Sequence, residues 1–332
     1  MIKTIIIFIF ILLYGCNNDK PLSSLKDNQN DQKIAIPEFN SDSAFSFVAT
    51  QVSFGPRIPN SQNHKQCKQY LINKFKSYNF NIIEQNFKAK TYNGTILDAT
   101  NIIATINEKA NIRIMLAAHW DTRPYADQET NPELQNKPID GANDGASGVG
   151  ILIELARILS KEKIDIGIDM ILFDAEDYGA PAFEKAIEVN DDWCLGSQYW
   201  SKNLHTPGYS PNYGILLDMT GGRNAKFAKE EYSLKYASDI VEKIWTIAMN
   251  NGFDNYFIDK KVGAIIDDHY YVNTIAKIPC INIVNYDEMS GNFFGNFWHT
   301  HKDNMSIIDK GTLYAVGQTL LNVIYSETNN NP

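Results

Sequence analysis

The sequence predicts an α/β protein, a single doubly wound domain with a mixed, mainly parallel central sheet flanked by helices. Three observations carry that expectation. Strand and helix signals alternate along most of the 332 residues, without an internal repeat. Several apolar strands end abruptly in His, Asp or Glu, as buried parallel strands do when they deliver polar groups at their C-terminal ends. The composition, 44% hydrophobic and 21% charged, suits a well-cored globular chain.

Taken in order, the chain opens on a basic start, Met1-Ile2-Lys3-Thr4, and a short apolar run from Ile5 to Tyr14. That run is too short for a permanent membrane span. Leu13-Tyr14-Gly15-Cys16 resembles a bacterial lipoprotein signal, cleaved before Cys16, which then carries the lipid. The alternative is an ordinary secretory signal with an incidental cysteine. Residues 1–15 are therefore expected as a signal peptide, 16–38 as a polar, flexible tether, and 39–328 as the folded domain. This places the protein at the cell envelope, lipid-anchored and periplasm-facing. Cys67, Cys194 and Cys280 remain in the body, with no CxxC pair, which excludes a disulfide scaffold and a thiolate zinc site. One bridge among them stays open. The net charge of −9 speaks against nucleic acid or an anionic membrane surface as a partner.

Within the domain, Asp42 is a candidate N-cap for a helix from Ser43 to Val52. A second helix is expected from about His64 to Tyr78. Two strands, Asn81–Phe87 and Thr100–Ile106, are joined through a hairpin-like Asn93-Gly94 turn. The apolar run from Ile112 to Ala118 ends in His119-Trp120-Asp121 and reads as a buried parallel strand. A glycine-rich loop, Gly141 to Gly148, carries Asp144 and leads into an amphipathic helix over Val149–Leu159. Ile166–Phe173 is a strand ending in Asp174-Ala175-Glu176-Asp177. Residues 178–192 have no period and read as an inserted loop. A helix from Ser197 to Asn203 and a strand ending in Asp218 follow. Next come a helix over Ser233–Asn250, a helix after Asp267-Asp268-His269, a strand over Ile278–Val284, a loop with His299 and His301, and a closing helix over Ile308–Tyr325.

For any one of these acidic or histidine residues, a cap or a local hydrogen bond is the bland reading. Together, His119/Asp121, Asp144, Glu176/Asp177, Asp218 and His299/His301 converge on one sheet edge. A His/carboxylate set without cysteine suits catalytic zinc, with one position left open. In the pair Glu176-Asp177, one residue can bind metal while the other faces substrate as general acid/base.

In their order and spacing, His119-Trp120-Asp121, Gly141-Ala142-Asn143-Asp144, Phe173-Asp174-Ala175-Glu176-Asp177, Leu217-Asp218-Met219 and Trp298-His299-Thr300 resemble the zinc aminopeptidase/glutaminyl cyclase superfamily. Arg123-Pro124, Ile266-Asp267-Asp268-His269 and Trp298 resemble its bacterial glutaminyl-peptide cyclotransferases of the animal type. The resemblance implies one Zn2+ on Asp144, Asp177 and His299, with Glu176 as catalytic acid/base. It implies Asp218 and Asp267 in the active-site hydrogen-bond network, and Trp298 and Trp193 as aromatic walls of the substrate pocket. Asp177 stands where many relatives have Glu. The implied reaction converts the N-terminal Gln of peptides or proteins to pyroglutamate with release of ammonia, in a monomer. The alternative is a two-zinc aminopeptidase, in which His119 and Asp218 bind the second metal and Asp144 bridges. A third reading, a peptide- or glycan-binding lipoprotein without activity, calls for an apolar residue at Glu176 or at a ligand position, and none is there.

Overall fold

The computed structural model describes residues 35–184 and 192–329. The expected signal peptide, Cys16 and most of the tether lie outside the described residues, as does part of the 178–192 loop. Among the described residues no helix is long and apolar enough to cross a membrane.

The chain opens with two helices, α1 (Ser41–Ser53) and α2 (Gln62–Ser77). Strands β1 (Asn81–Lys90), β2 (Ile96–Ile106) and β3 (Arg113–His119) follow, then the one-turn α3 (Pro132–Gln135) and α4 (Ala146–Leu159). Next come β4 (Gly167–Phe173), α5 (Leu195–Lys202), β5 (Tyr213–Asp218), β6 (Phe227–Glu230), α6 (Glu231–Asn250), β7 (Phe257–Val262) and α7 (Asp268–Tyr271). A π-turn over Val272–Ala276 leads to β8 (Cys280–Val284), and α8 (Lys310–Asn329) closes the domain. Six strands form the main sheet in the order β1-β2-β4-β3-β5-β8. The β1/β2 and β2/β4 pairs are antiparallel, and β4/β3, β3/β5 and β5/β8 are parallel. The expected mixed, mainly parallel sheet is therefore present.

Alternation along the strands shows why both faces are covered. Ile114, Leu116 and Ala118 of β3 join one core with Ile168, Met170 and Leu172 of β4, against α1, α4, α6 and α8. Met115 and Ala117, with Ile171 and Phe173, join a second core on the other face with Trp200 of α5 and Val272. A strand buried on both sides is apolar over nearly all its length, and the exception in β4, Asp169, is paired with Arg113. The first polar side chain after such a run therefore marks the strand's exit. After β3 the chain places β4 on one side and β5 on the other, so β3 is the switch point where α/β sheets open a crevice.

Local detail departs from the sequence expectation in several places. Asn40, not Asp42, caps α1, because Asn40 is extended and its side chain accepts from Ser43 N at 2.9 Å. Asp42 sits in the first turn, paired with Lys310. α6 begins at Glu231, capped by Glu230, and is broken at Ala237, where φ is −150°. The short α7 starts at Asp268, with Asp267 as its cap, and gives way to the π-turn. The parallel ribbon β6/β7 has no counterpart in the expected elements. One strand has four residues, and the other, Phe-Ile-Asp-Lys-Lys-Val, carries charges at alternate exposed positions. Cys67, Cys194 and Cys280 are all buried and free, so no bridge joins them.

Gly148, on the face of α4 that meets the sheet, sets how closely the helix lies. A Cβ there would stand 2.6 Å from the Leu217 carbonyl oxygen and 3.0 Å from Ala118 Cβ. Alanine raises helix propensity by about 1 kcal/mol, but overpacking against backbone costs about 1–3 kcal/mol. Gly148→Ala should therefore lower the urea midpoint of unfolding. A raised midpoint would show that helix and sheet are not in this contact.

Candidate active site

Each site residue is placed by a local feature of the chain. β3 ends at His119, and two residues later Asp121 turns inward, wholly buried. Its two oxygens accept the backbone N–H groups of Glu176, at 3.0 Å, and Asp177, at 3.2 Å. After β4, Asp174 accepts from Thr100 N at 2.6 Å and contacts the His64 ring at 2.9 Å. Ala175 then adopts a left-handed φ of 55°, which turns the acidic pair out of the strand line. Asp144 lies in the loop before α4. Asp303 holds that loop by accepting Asn143 N at 2.7 Å and Asp144 N at 3.0 Å. Gly145 has φ +93°, and a Cβ there would meet the Asp121 carbonyl at 2.8 Å and His119 Cε1 at 3.0 Å. Only glycine fits this approach. Met219, after Asp218, and His299 itself are left-handed at 50° and 54°. Such non-glycine residues each cost on the order of 1 kcal/mol and gather at functional sites.

Three groups of potential ligand atoms result among the described residues, one of them Glu176, Cys194 and Asp267, and two of them built on Asp144. Of these two, Asp144, Asp177 and His299 form one, and His119, Asp144 and Asp218 the other, each with its atoms within 4.8 Å of one another. In the first, His299 Nε2 lies 3.2 Å from Asp177 Oδ1 and 3.6 Å from Asp144 Oδ2. Zinc bonds of about 2.0–2.1 Å at tetrahedral angles give ligand separations of roughly 3.3–3.4 Å. Asp144 Oδ2 and both oxygens of Asp177 are buried without a hydrogen-bond partner. Bare buried carboxylate oxygens beside an imidazole fit a dication. In the second group, His119 Nε2 lies 3.0 Å from Asp144 Oδ1 and 3.3 Å from Asp218 Oδ1, yet neither ring nitrogen has an aligned hydrogen bond.

The electrostatics follow from burial and crowding. Burial pushes the Glu176 carboxyl well above its usual range, and Asp177, Asp267 and Asp268 add to this while His119 opposes it. Burial likewise lifts Asp218 to about 7, with Asp267 and Asp144 adding and His119 opposing. Burial alone would lower the His119 pKa, but the carboxylates of Asp121, Asp144 and Asp218 override it and hold the imidazole well above its usual range. At Asp127 burial is likewise outweighed, by Arg123 and His299, and the carboxyl is held below the usual range. The site thus raises the proton affinity of Glu176 and gathers carboxyl groups where the candidate ligand atoms lie.

A cavity of about 510 Å³ is lined by Asp144, Glu176, Asp177, Asp218, Asp267, His299, Trp193 and Trp298. These are nearly all of the residues that the motifs singled out. Trp298 stacks on His299 at 3.7 Å between ring centroids, and Trp193 lies parallel to the same ring at 5.9 Å. Asp267 Oδ2 accepts from Asn282 Nδ2 at 2.6 Å. His301 turns away and pairs with Glu129 at 3.1 Å. His269 pairs with Glu230 at 3.0 Å, as a structural histidine. Sequence reasoning missed Asp303, Asp127 and Arg57, whose guanidinium grips the Asp140 and Gly141 carbonyls. It also missed Cys194, whose thiol donates to Glu176 Oε1 at 3.2 Å.

The sequence pattern of peptidase family M28 matches residues 101–324. A Zn-dependent exopeptidase from Parabacteroides distasonis is 50% identical, covers 88% of this chain and 99% of its own, and superposes with a TM-score of 0.86. The glutaminyl cyclase of Tannerella forsythia is 48% identical, covers 89% of this chain and 100% of its own, and has the same TM-score. A glutaminyl-peptide cyclotransferase from Dictyostelium discoideum is 26% identical over 94% of both chains.

Asp121 makes a prediction independent of the chemistry. Asp121→Ala strands two buried N–H donors at about 1–3 kcal/mol each, so it should lower unfolding free energy by roughly 2–5 kcal/mol in urea titration. A loss under about 0.5 kcal/mol, the size of an ordinary surface substitution, would mean that the acidic pair is held by something else.

Proposed function

Because the chain belongs to peptidase family M28, in the group that includes glutaminyl-peptide cyclotransferases, we propose that it cyclises N-terminal Gln to pyroglutamate with release of ammonia. The observation that carries this reading is the cavity itself, where a half-buried Glu176 of raised proton affinity faces a space walled by Trp193 and Trp298. One zinc would be held by Asp144, Asp177 and His299. When bound, it supplies Lewis-acid polarisation of the γ-amide carbonyl.

The protein's own residues do the rest. Trp193 and Trp298 bound a space in which the Gln side chain folds back on its α-amine. Glu176 takes a proton from that amine, whose nitrogen bonds to the side-chain amide carbon. As the carbon–nitrogen bond of the amide breaks, Glu176 returns the proton to the departing ammonia. Its raised proton affinity lets it hold the proton between these two events. Asp267, fixed by Asn282 and by the Asp268 N–H at 2.5 Å, and Asp218 provide carboxyl groups beside it for the substrate amine. A second reading, the two-zinc aminopeptidase, is favoured by one observation, the His119, Asp144 and Asp218 group.

A product assay separates them. Offered a Gln-initiated and a Leu-initiated peptide of otherwise equal sequence, the protein should remove one ammonia from the first and leave the second intact by mass spectrometry. Release of free Leu with two bound metals would replace this reading with the aminopeptidase. Neither product, with zinc bound, would return the peptide-binding reading. Glu176→Gln should lower kcat by about 10²–10⁴-fold and keep its zinc. Asp144→Ala should lose zinc. Full turnover in the first, or unchanged metal content in the second, removes that residue from its role.

A further inference from the structure

Arg123 takes no part in the reaction as derived, yet it is completely buried beside the site. All five of its N–H groups have acceptors. Nε and Nη2 grip the two oxygens of Asp127, at 2.9 and 2.8 Å. Nη1 donates to the carbonyls of Asp177, at 3.0 Å, and Gly179, at 3.1 Å, and Nη2 reaches Ala180 at 3.5 Å. Its guanidinium carbon lies 4.3 Å from the centre of the Trp193 ring.

The partners extend this connection. Asp127 Oδ1 lies 3.2 Å from His299 Nδ1, the nitrogen turned away from Asp144 and Asp177, a charge contact in which Nδ1 makes no aligned hydrogen bond. Asp127 Oδ2 also accepts from Ala182 N at 2.8 Å. On the far side, Trp193 is pressed against Gly179, where a Cβ would lie 2.0 Å from indole Cε2. Gly179 thus leaves the indole room to lie flat.

We propose that Arg123 is a positioning residue that locks the metal-ligating side of the cavity to its aromatic wall. One planar cation fixes the backbone of Asp177, the orientation of the His299 ring through Asp127, and the indole of Trp193. The inference rests on the assignment of Asp177 and His299 as ligands. A carboxylate on the outer nitrogen of a ligating histidine sets its ring orientation and tautomer. The arrangement is specific to a guanidinium. A lysine ammonium keeps the charge but has neither the fork that meets both Asp127 oxygens nor a flat face for the indole.

The test uses the full chain with Arg123→Lys and Asp127→Asn. Zinc affinity is read by competition with a chromophoric chelator, and KM with a Gln-initiated peptide at saturating zinc. Arg123→Lys should weaken zinc about 10–100-fold and also raise KM, because Trp193 has lost its support. Asp127→Asn should weaken zinc similarly and leave KM near the parent value. Zinc affinity equal to the parent in both variants overturns the proposal, and so does a loss of thermal stability that leaves both arms unmoved. Should Arg123→Lys fail to fold, unchanged zinc affinity in Asp127→Asn overturns it alone. Should the chain lack cyclase activity, the zinc arm is unaffected. The emission difference between Arg123→Lys and Arg123→Lys/Trp193→Phe then replaces KM, and a Trp193 emission like the parent's overturns the link to the wall.

Discussion

Carboxylates crowded at one dry sheet edge are the constraint on which the rest of the structure depends. A buried charge without a partner costs several kcal/mol, so each of these groups must be answered. The protein answers them in two ways. Asp121, Asp174 and Asp303 accept backbone N–H groups, and Asp127 meets Arg123. Asp144 Oδ2, both oxygens of Asp177 and Asp218 Oδ1 are left without hydrogen bonds. The first set is scaffold and holds the loops. The second set, like both oxygens of Asp268, lacks a donor from the chain, and a bound cation would satisfy such oxygens. The same residue type thus serves two purposes, separated only by whether a donor has been provided.

The sheet makes this division possible. Parallel strands bring the ends of β3, β4, β5 and β8 to one edge, where loop side chains such as Asp144, Trp193, Trp298 and His299 join those at the strand tips. Regular strands aim successive residues to opposite faces, which alone would not converge these groups. The left-handed residues Ala175, Met219 and His299 break that alternation where the chain leaves the regular elements. The strain they carry is held by the well-packed cores on both sides of the sheet, where Leu116, Ile168, Ile171 and Phe173 are fully buried.

This physics explains what was legible in the sequence. Strand ends were readable because burial on both faces demands an apolar run, and a sudden His119 or Asp218 breaks it. That polar strand and loop ends converge was readable from the residues, whereas the grouping of Asp144, Asp177 and His299 came only from the family resemblance. Asp303 and Asp127 were not readable. An isolated loop aspartate has the same appearance whether it caps a turn, faces water or holds a ligand loop, and their partners lie 160 residues away for Asn143 and 172 for His299 (the latter 299 minus 127). Arg123 was visible only as part of a resemblance, since nothing local says that a guanidinium will be fully buried. Asn40 and Asp42 are both good caps, and backbone geometry rather than composition decides between them. The β6/β7 ribbon is short, with β6 buried over all four of its residues and three consecutive charged residues in β7, so neither stretch has an apolar run that signals a strand.

Cyclisation and peptide hydrolysis make different demands on such an edge. Hydrolysis needs a water held against the scissile carbonyl. Cyclisation needs the substrate's own amine there and water kept away, because the attacking and attacked groups already share one molecule. For the second task, the useful investment is in walls that enforce a folded side chain. This chain makes that investment visibly. Trp298 is stacked directly on His299, and Trp193 lies parallel to the same ring. Gly179 and Arg123 are committed to keeping the second indole flat. The buried Arg123 behind Trp193 therefore stiffens the wall against which a side chain would fold for intramolecular attack, even where both chemistries would draw on the same carboxylates.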